Sequence, residues 1–285
     1  MSKPHHVLKV LSTVSAVRRF RSAAKGRVVL VPTMGALHDG HAALIRRARR
    51  IAGRGGKVIV SIFVNPSQFG LKEDLSRYPR PFVEDRKLCA SLGADAIFRP
   101  TTEEMYPADF STWVEESAVS RGLCGASRPG HFRGVGTVVL KLFTITQPDA
   151  AVFGLKDYQQ CRVIARMVRD LNLPVRLVFA PTVRERDGLA LSSRNVFLSS
   201  VERAEAPTIR RGLLAAQTAF RSGVSSAAKL RLLVKNRLSK IARVDYIEVV
   251  NGASLDPVRA VKRGDLIAVA AFFGKTRLID NIQLR

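Results

Sequence analysis

Cysteine is scarce in this chain. Cys89, Cys124 and Cys161 are an odd number and contain no Cys-x-x-Cys pair. That argues against a disulfide framework and against a zinc site, and it fits a reducing compartment in which all three are buried structural thiols. No stretch approaches the ~20 consecutive apolar residues that a membrane helix needs. The segment from Met1 to Val10 has no apolar run followed by a small-residue cleavage site, so no secretion signal is expected. Aromatic residues make up 7% and are not interleaved with the basic ones, as a single-strand-binding face would require. There is no internal repeat and no long Gly/Ser linker.

Acidic residues are also outnumbered: 23 Asp and Glu stand against 47 Lys and Arg, a formal net charge of +24. Such a balance favours anionic partners, whether nucleic acid, acidic membrane or phosphorylated ligands. The cations are spread over helical-looking stretches (Arg46, Arg47, Arg49, Arg50; Arg210, Arg211; Arg231, Lys235, Arg237, Lys240) rather than gathered in a tail. A solvated basic surface is the leading reading, with weak non-specific nucleic-acid binding at low salt. At 285 residues the chain suits one large domain or a large and a small one.

Short apolar runs alternate with longer helical patterns. Val28–Val31 ends at Pro32, and Val58–Val64 ends at Asn65-Pro66; Ala96–Phe98, Ala151–Phe153 and Val175–Phe179 follow. Continuous rather than alternating apolar runs predict parallel strands covered on both faces. From His41 to Ala52, Leu44, Ala48, Ile51 and Ala52 form one stripe with arginines facing out. The rhythm predicts an α/β fold, a Rossmann-like doubly wound parallel sheet. After about Asn195 come basic amphipathic helices between Glu202 and Ala242. Strand-like segments at Val244–Val250, Leu266–Phe272 and Thr276–Leu284 follow, predicting a smaller C-terminal α+β domain. The expected division is 1–182 and 183–285, the second domain closing over a nucleotide site.

Open α/β sheets bind ligands past the carboxyl ends of their strands. Val31-Pro-Thr-Met-Gly-Ala-Leu-His-Asp-Gly-His41 leads from the first strand into the first helix. Gly35 and Gly40 permit tight turning, and a helix start offers unpaired N–H groups to phosphate. His38 and His41, three residues apart, then face the phosphates and donate to developing negative charge. The competing readings are a metal pair, for which no further His or Cys cluster exists, and a simple turn cap. His5 and His6 read as terminal surface residues, and His131 is ambiguous. This segment is neither Gly-x-x-x-x-Gly-Lys-Ser/Thr nor Gly-x-Gly-x-x-Gly; it resembles the His-x-Gly-His signature of the adenylyl-transferring superfamily.

Three more polar clusters fall near strand ends. Asn65-Pro-Ser-Gln-Phe69 offers amides for hydroxyl and carboxylate groups. Gly154-Leu-Lys-Asp-Tyr-Gln-Gln160 offers Lys156 to phosphates and Asp157 to an oriented group or magnesium. Ser192-Ser-Arg-Asn195 reads as a second phosphate clamp. Each taken alone also reads as a turn, a cap or a solvated charge.

Read in order, these stretches resemble the pantoate–β-alanine ligase (pantothenate synthetase) family. The likeness runs through residues 32–41, 63–69, Tyr78-Pro-Arg80, 128–135, 156–160, 187–195 and Arg277-Leu-Ile-Asp-Asn281. It implies a two-step ligase: ATP and pantoate form pantoyl adenylate and pyrophosphate, and β-alanine then displaces AMP to give pantothenate. It also implies an ATP site from Met34, Gly35, His38, Gly40, His41, Gly154, Leu155, Lys156, Asp157, Val183, Leu191, Ser192, Ser193 and Arg194. Within that site His41 is the acid-type catalytic residue, His38 its phosphate partner, and Lys156 and Arg194 stabilise charge. Gln68 and Gln160 are the implied pantoate contacts, Gln68 also bordering β-alanine, with Asn65, Tyr78 and Arg128 as further substrate contacts. Magnesium with ATP, a cytoplasmic location and a homodimer complete what the likeness implies. Leu155 stands where the family often has Glu, and Leu191 where it has Met. The alternatives are another His-x-Gly-His adenylyltransferase and a basic nucleic-acid-binding protein.

Overall fold

The computed structural model describes residues 7–70, 73–238 and 240–285, so His5 and His6 lie outside the described residues. In chain order the elements are β1 (Lys9–Leu11), α1 (Val14–Ser22), β2 (Val28–Thr33), α2 (Asp39–Ala52), β3 (Lys57–Ile62), α3 (Phe82–Ser91) and β4 (Ala96–Phe98). There follow α4 (Thr102–Met105), α5 (Cys124–Ser127), α6 (His131–Thr146), β5 (Ala150–Gly154), α7 (Tyr158–Asp170) and β6 (Arg176–Ala180). The last are α8 (Ser200–Glu205), α9 (Thr208–Arg221), α10 (Ala227–Arg237), β7 (Ala242–Val250), β8 (Leu266–Phe273) and β9 (Thr276–Gln283).

These divide into two compact units. The first is Met1–Glu116, Pro129–Leu155 and Val163–Pro181; the second is Ser117–Arg128, Lys156–Arg162 and Thr182–Arg285. The long division falls at Pro181/Thr182, while two earlier segments, 117–128 and 156–162, count with the second unit. Hydrogen bonds inside that unit account for them. Gln159 donates to the carbonyls of Val119 and Gly122 and accepts the Cys124 N–H, and Tyr158 donates to the Gly252 carbonyl.

The first unit holds a six-stranded sheet ordered β1-β4-β3-β2-β5-β6, every pairing parallel. The continuous apolar reading of β2 is explained by burial on both sides. Val29 and Val31 pack with Val58, Val60, Val152 and the Leu44–Ile45–Ala48 stripe of α2. On the other face α6 packs on β2, with Phe143 edge-on to Phe153 at 6.4 Å. The chain steps from β2 outward through β3 and β4, then crosses to β5 on the other flank. The reversal between β2 and β5 is the switch point at which such sheets form a crevice.

The second unit holds the antiparallel sheet β7-β8-β9, with α9 and α10 packed on it through Ile209, Leu213, Leu230 and Val234 against Ile267, Val269 and Phe273. Along β9 burial alternates strictly, the period-2 pattern of a strand with one buried face. Among the elements not read from the sequence are the three-residue edge strand β1 and helix α6, whose start in Phe-Arg-Gly-Val-Gly has poor helix propensity although its apolar residues recur at helical spacing. All three cysteines are buried thiols, as expected.

Candidate active site

In the first unit the site begins where β2 ends. Gly35 and Ala36 take left-handed backbone (φ 82° and 49°), turning the chain sharply into α2. A Cβ at residue 35 would meet both Asp85 Oδ2 and Ile62, so only glycine fits there. The carboxylate of Asp85, in the first turn of α3, accepts the N–H groups of Ala36 at 3.0 Å and Leu37 at 2.7 Å. Burial pushes this carboxyl above its ordinary range, while the two N–H bonds pull the other way. Burial also pushes the neighbouring Cys89 thiol up to about 12, which marks it as structural.

His38 is the N-cap of α2, and its Nδ1 accepts the Gly40 N–H at 3.1 Å. His41 reaches back, its Nδ1 accepting the His38 N–H at 3.3 Å, and the rings lie 4.2 Å apart. This is a capping box built from two imidazoles. Because each Nδ1 accepts, each neutral ring carries its proton on Nε2. The turn cap read from the sequence is present, each Nδ1 closing the helix start.

Thr33 of β2 pairs with Ile62 of β3, so the segment after β3 leaves the same sheet edge. There Asn65, 1% exposed, donates from Nδ2 to Gln68 Oε1 and to the Gly134 carbonyl, and accepts the N–H and hydroxyl of Ser67. His131 donates from Nδ1 to the Gln68 carbonyl at 2.8 Å, which removes the ambiguity about that histidine: it braces the amide turn. Tyr78 is buried edge-on to Phe69. Gly154 ends β5, the strand on the other side of β2, and Leu155 follows it. Thus Met34 to His41, Asn65, Gln68, Gly154 and Leu155 all lie at the carboxyl ends of the adjacent strands β3, β2 and β5. Asp85 and His131 were not singled out by sequence as site residues; in each case the only signal was a polar residue close to a recognisable motif.

The second unit carries Lys156 and Asp157 in the 3-10 turn Leu155–Asp157 and Gln160 in the first turn of α7, all half-buried. It also carries a small hairpin. Leu191 donates to the Val183 carbonyl at 3.0 Å, Glu185 to Leu189 at 2.8 Å, and Gly188 to Glu185 at 2.9 Å. Val183 and Leu191 are therefore bonded neighbours although eight residues apart. Ser192 caps the 3-10 turn Ser193–Phe197 by accepting the Arg194 N–H. Asn195 fixes the turn, donating to Glu185 and to the Ala190 carbonyl. Arg128 follows α5, its N–H bonded to the Cys124 carbonyl. Among the described residues, no three His, Cys, Asp or Glu side chains gather to hold a metal.

The sequence pattern of the family described as Pantoate-beta-alanine ligase matches residues 8–283. A pantothenate synthetase from Thermotoga neapolitana is 50% identical over 279 residues, covering 96% of this chain and 99% of its own. The crystal structure of the Thermus thermophilus pantothenate synthetase superposes with a TM-score of 0.91 at 46% identity, over 96% of this chain and 99% of that one. The Francisella tularensis pantoate-beta-alanine ligase, complexed with beta-gamma ATP and beta-alanine, gives 0.81 at 34% identity, over 97% and 98%.

Proposed function

We infer the activity from the premise that this chain belongs to the pantoate–β-alanine ligase family. It is an ATP-dependent, AMP-forming ligase that condenses pantoate with β-alanine to pantothenate. A pantoate carboxylate oxygen attacks the α-phosphorus of ATP, and the bond to the bridging oxygen breaks to release pyrophosphate. The amine of β-alanine then attacks the acyl carbon of the pantoyl adenylate, loses a proton, and AMP departs.

The observation that carries the residue roles is the double-imidazole cap of α2 beside the amide turn after β3. With Nδ1 occupied, His41 and His38 meet the phosphates through Nε2–H donors, His41 giving acid-type assistance to the leaving group and His38 holding phosphate. With Oε1 taken by Asn65, Gln68 meets pantoate as a donor, and Gln160 is its second contact. Tyr78 and Arg128 border the substrates. Met34, Gly35, Gly40, Gly154, Leu155, Val183 and Leu191 line ATP, with backbone contact sufficient at Leu155. Lys156 and the Ser192-Ser193-Arg194 clamp neutralise phosphate charge, and the adenylate must be kept from water.

Asp157 offers one carboxylate, a donor set that suits an ion shared with nucleotide phosphates better than a protein cage. Magnesium held there would supply charge neutralisation at the phosphates. We extend the reading to a cytoplasmic homodimer; no helix among the described residues is long and apolar enough to cross a membrane. Nucleic acid binds only through bulk charge, and salt removes it.

The test is direct. The purified protein given ATP, pantoate and β-alanine yields pantothenate by mass spectrometry, and its ATP–pyrophosphate exchange requires pantoate. Exchange supported by a nucleotide such as nicotinate mononucleotide but not by pantoate would assign it to another adenylyl transfer.

A further inference from the structure

The motif Arg277-Leu-Ile-Asp-Asn281 has no role in the reaction as derived so far. It lies on β9, whose residues point alternately to the buried and the half-buried face. Asp280, 5% exposed, takes a bidentate grip from Arg184, with Nη1 at 2.6 Å and Nη2 at 2.8 Å. Arg184 Nη1 also donates to the Gly188 carbonyl at 3.1 Å, so one guanidinium ties β9 to both limbs of the Val183–Leu191 hairpin. On the next residue and the opposite face, Asn281 donates from Nδ2 to the Lys156 carbonyl at 2.9 Å. Asp280 Oδ1 accepts the Asn281 N–H at 2.8 Å, which links the two contacts.

We propose that Asp280 and Asn281 are positioning residues for ATP. Asp280 sets the hairpin from which Val183, Leu191 and the Ser192–Arg194 clamp extend, and Asn281 sets the backbone from which Lys156 extends. This rests on the ligase reading, because that reading gives these segments their phosphate. Two phosphate-binding segments far apart in sequence are thereby indexed to adjacent positions of one strand. A fork-shaped guanidinium on a buried carboxylate fixes direction as well as distance. The amide–carbonyl bond restrains Lys156 without adding a charge that would compete for phosphate. Neither Asp280 nor Asn281 touches a reacting atom in this scheme; both act through the residues they hold.

The experiment uses Asn281→Leu, which keeps volume and removes the donor, and Asp280→Asn, which keeps shape and removes the charge. Asn281→Leu should raise KM for ATP in pantoate-dependent pyrophosphate exchange roughly threefold to tenfold, the scale of one hydrogen bond. KM for β-alanine at saturating ATP should stay within about twofold of wild type. Asp280→Asn should raise KM for ATP about tenfold and speed amide exchange at Glu185 and Leu191 about tenfold, since both amides close the hairpin. An unchanged KM for ATP in folded Asn281→Leu protein, or an equal rise for ATP, pantoate and β-alanine, would overturn the proposal. If Asp280→Asn does not fold, Asn281→Leu decides alone. Wild-type protein lacking pantoate-dependent exchange would overturn the ligase reading instead, and the amide-exchange measurement would still report whether β9 holds the hairpin.

Discussion

Asp85 and Asp280 are both buried carboxylates, 2% and 5% exposed, and each holds a turn that the ligase reading assigns to ATP. They do so by different means. Asp85 binds two backbone N–H groups of the turn itself, with no intervening side chain. Asp280 works through the guanidinium of Arg184, with Arg210 close enough to feel its charge. The first arrangement suits a short turn between a parallel strand and a helix, where the N–H groups already converge on an anion. The second suits a hairpin that must be tied to a separate strand, where reach and charge are needed. His38 and His41 thus follow a turn anchored through its own backbone, and the Ser192–Arg194 segment follows a hairpin anchored through an ion pair.

Removing the cation from the second arrangement tests the contrast most severely. Arg184→Met leaves Asp280 buried without its fork and should cost roughly 3–5 kcal/mol, the scale for breaking a buried pair. Urea unfolding followed in the second unit checks this; a loss below about 1 kcal/mol would place the pair among ordinary surface contacts. Next in size, His41→Ala should slow adenylation by ~10²-fold, the scale for losing one charge-stabilising donor. Pantoate-dependent exchange measures it, and near-normal turnover would strip His41 of its proposed role. The smallest effect concerns Asp85. Burial raises its folded pKa above the unfolded value of 3.8, so its stabilising contribution is complete below pH 3.8 and is lost as pH rises through the folded value. Asp85→Asn removes that dependence, so the stability of wild type relative to the variant should decline as pH rises from 3.8. A flat difference across the pH series would show that the N–H bonds cancel the burial cost.

The two anchors were not equally legible in sequence. The turn from Pro32 to His41 could be read because a continuous apolar strand, two glycines and a helix stripe enclose it. Asp85 could not, because it lies 48 residues from Leu37 on a helix with little amphipathic contrast. The parallel sheet and the C-terminal meander followed from runs of the right length and period. The assignment of 117–128 and 156–162 to the second unit did not. It depends on contacts such as Gln159 with Val119 and Cys124, which leave no periodic trace. Asp280 and Asn281 were visible as a motif, but their partners, Arg184 and Lys156, are 96 and 125 residues away.

Gly134 has a consequence for inheritance. A Cβ built there would collide with the carbonyl of Ser67, where α6 crosses the turn that carries Gln68. Every single-nucleotide change that removes a glycine either adds a Cβ or stops the chain. No replacement of Gly134 can therefore be absorbed locally, and a lineage that substitutes it must first have moved α6 or the amide turn by a change elsewhere.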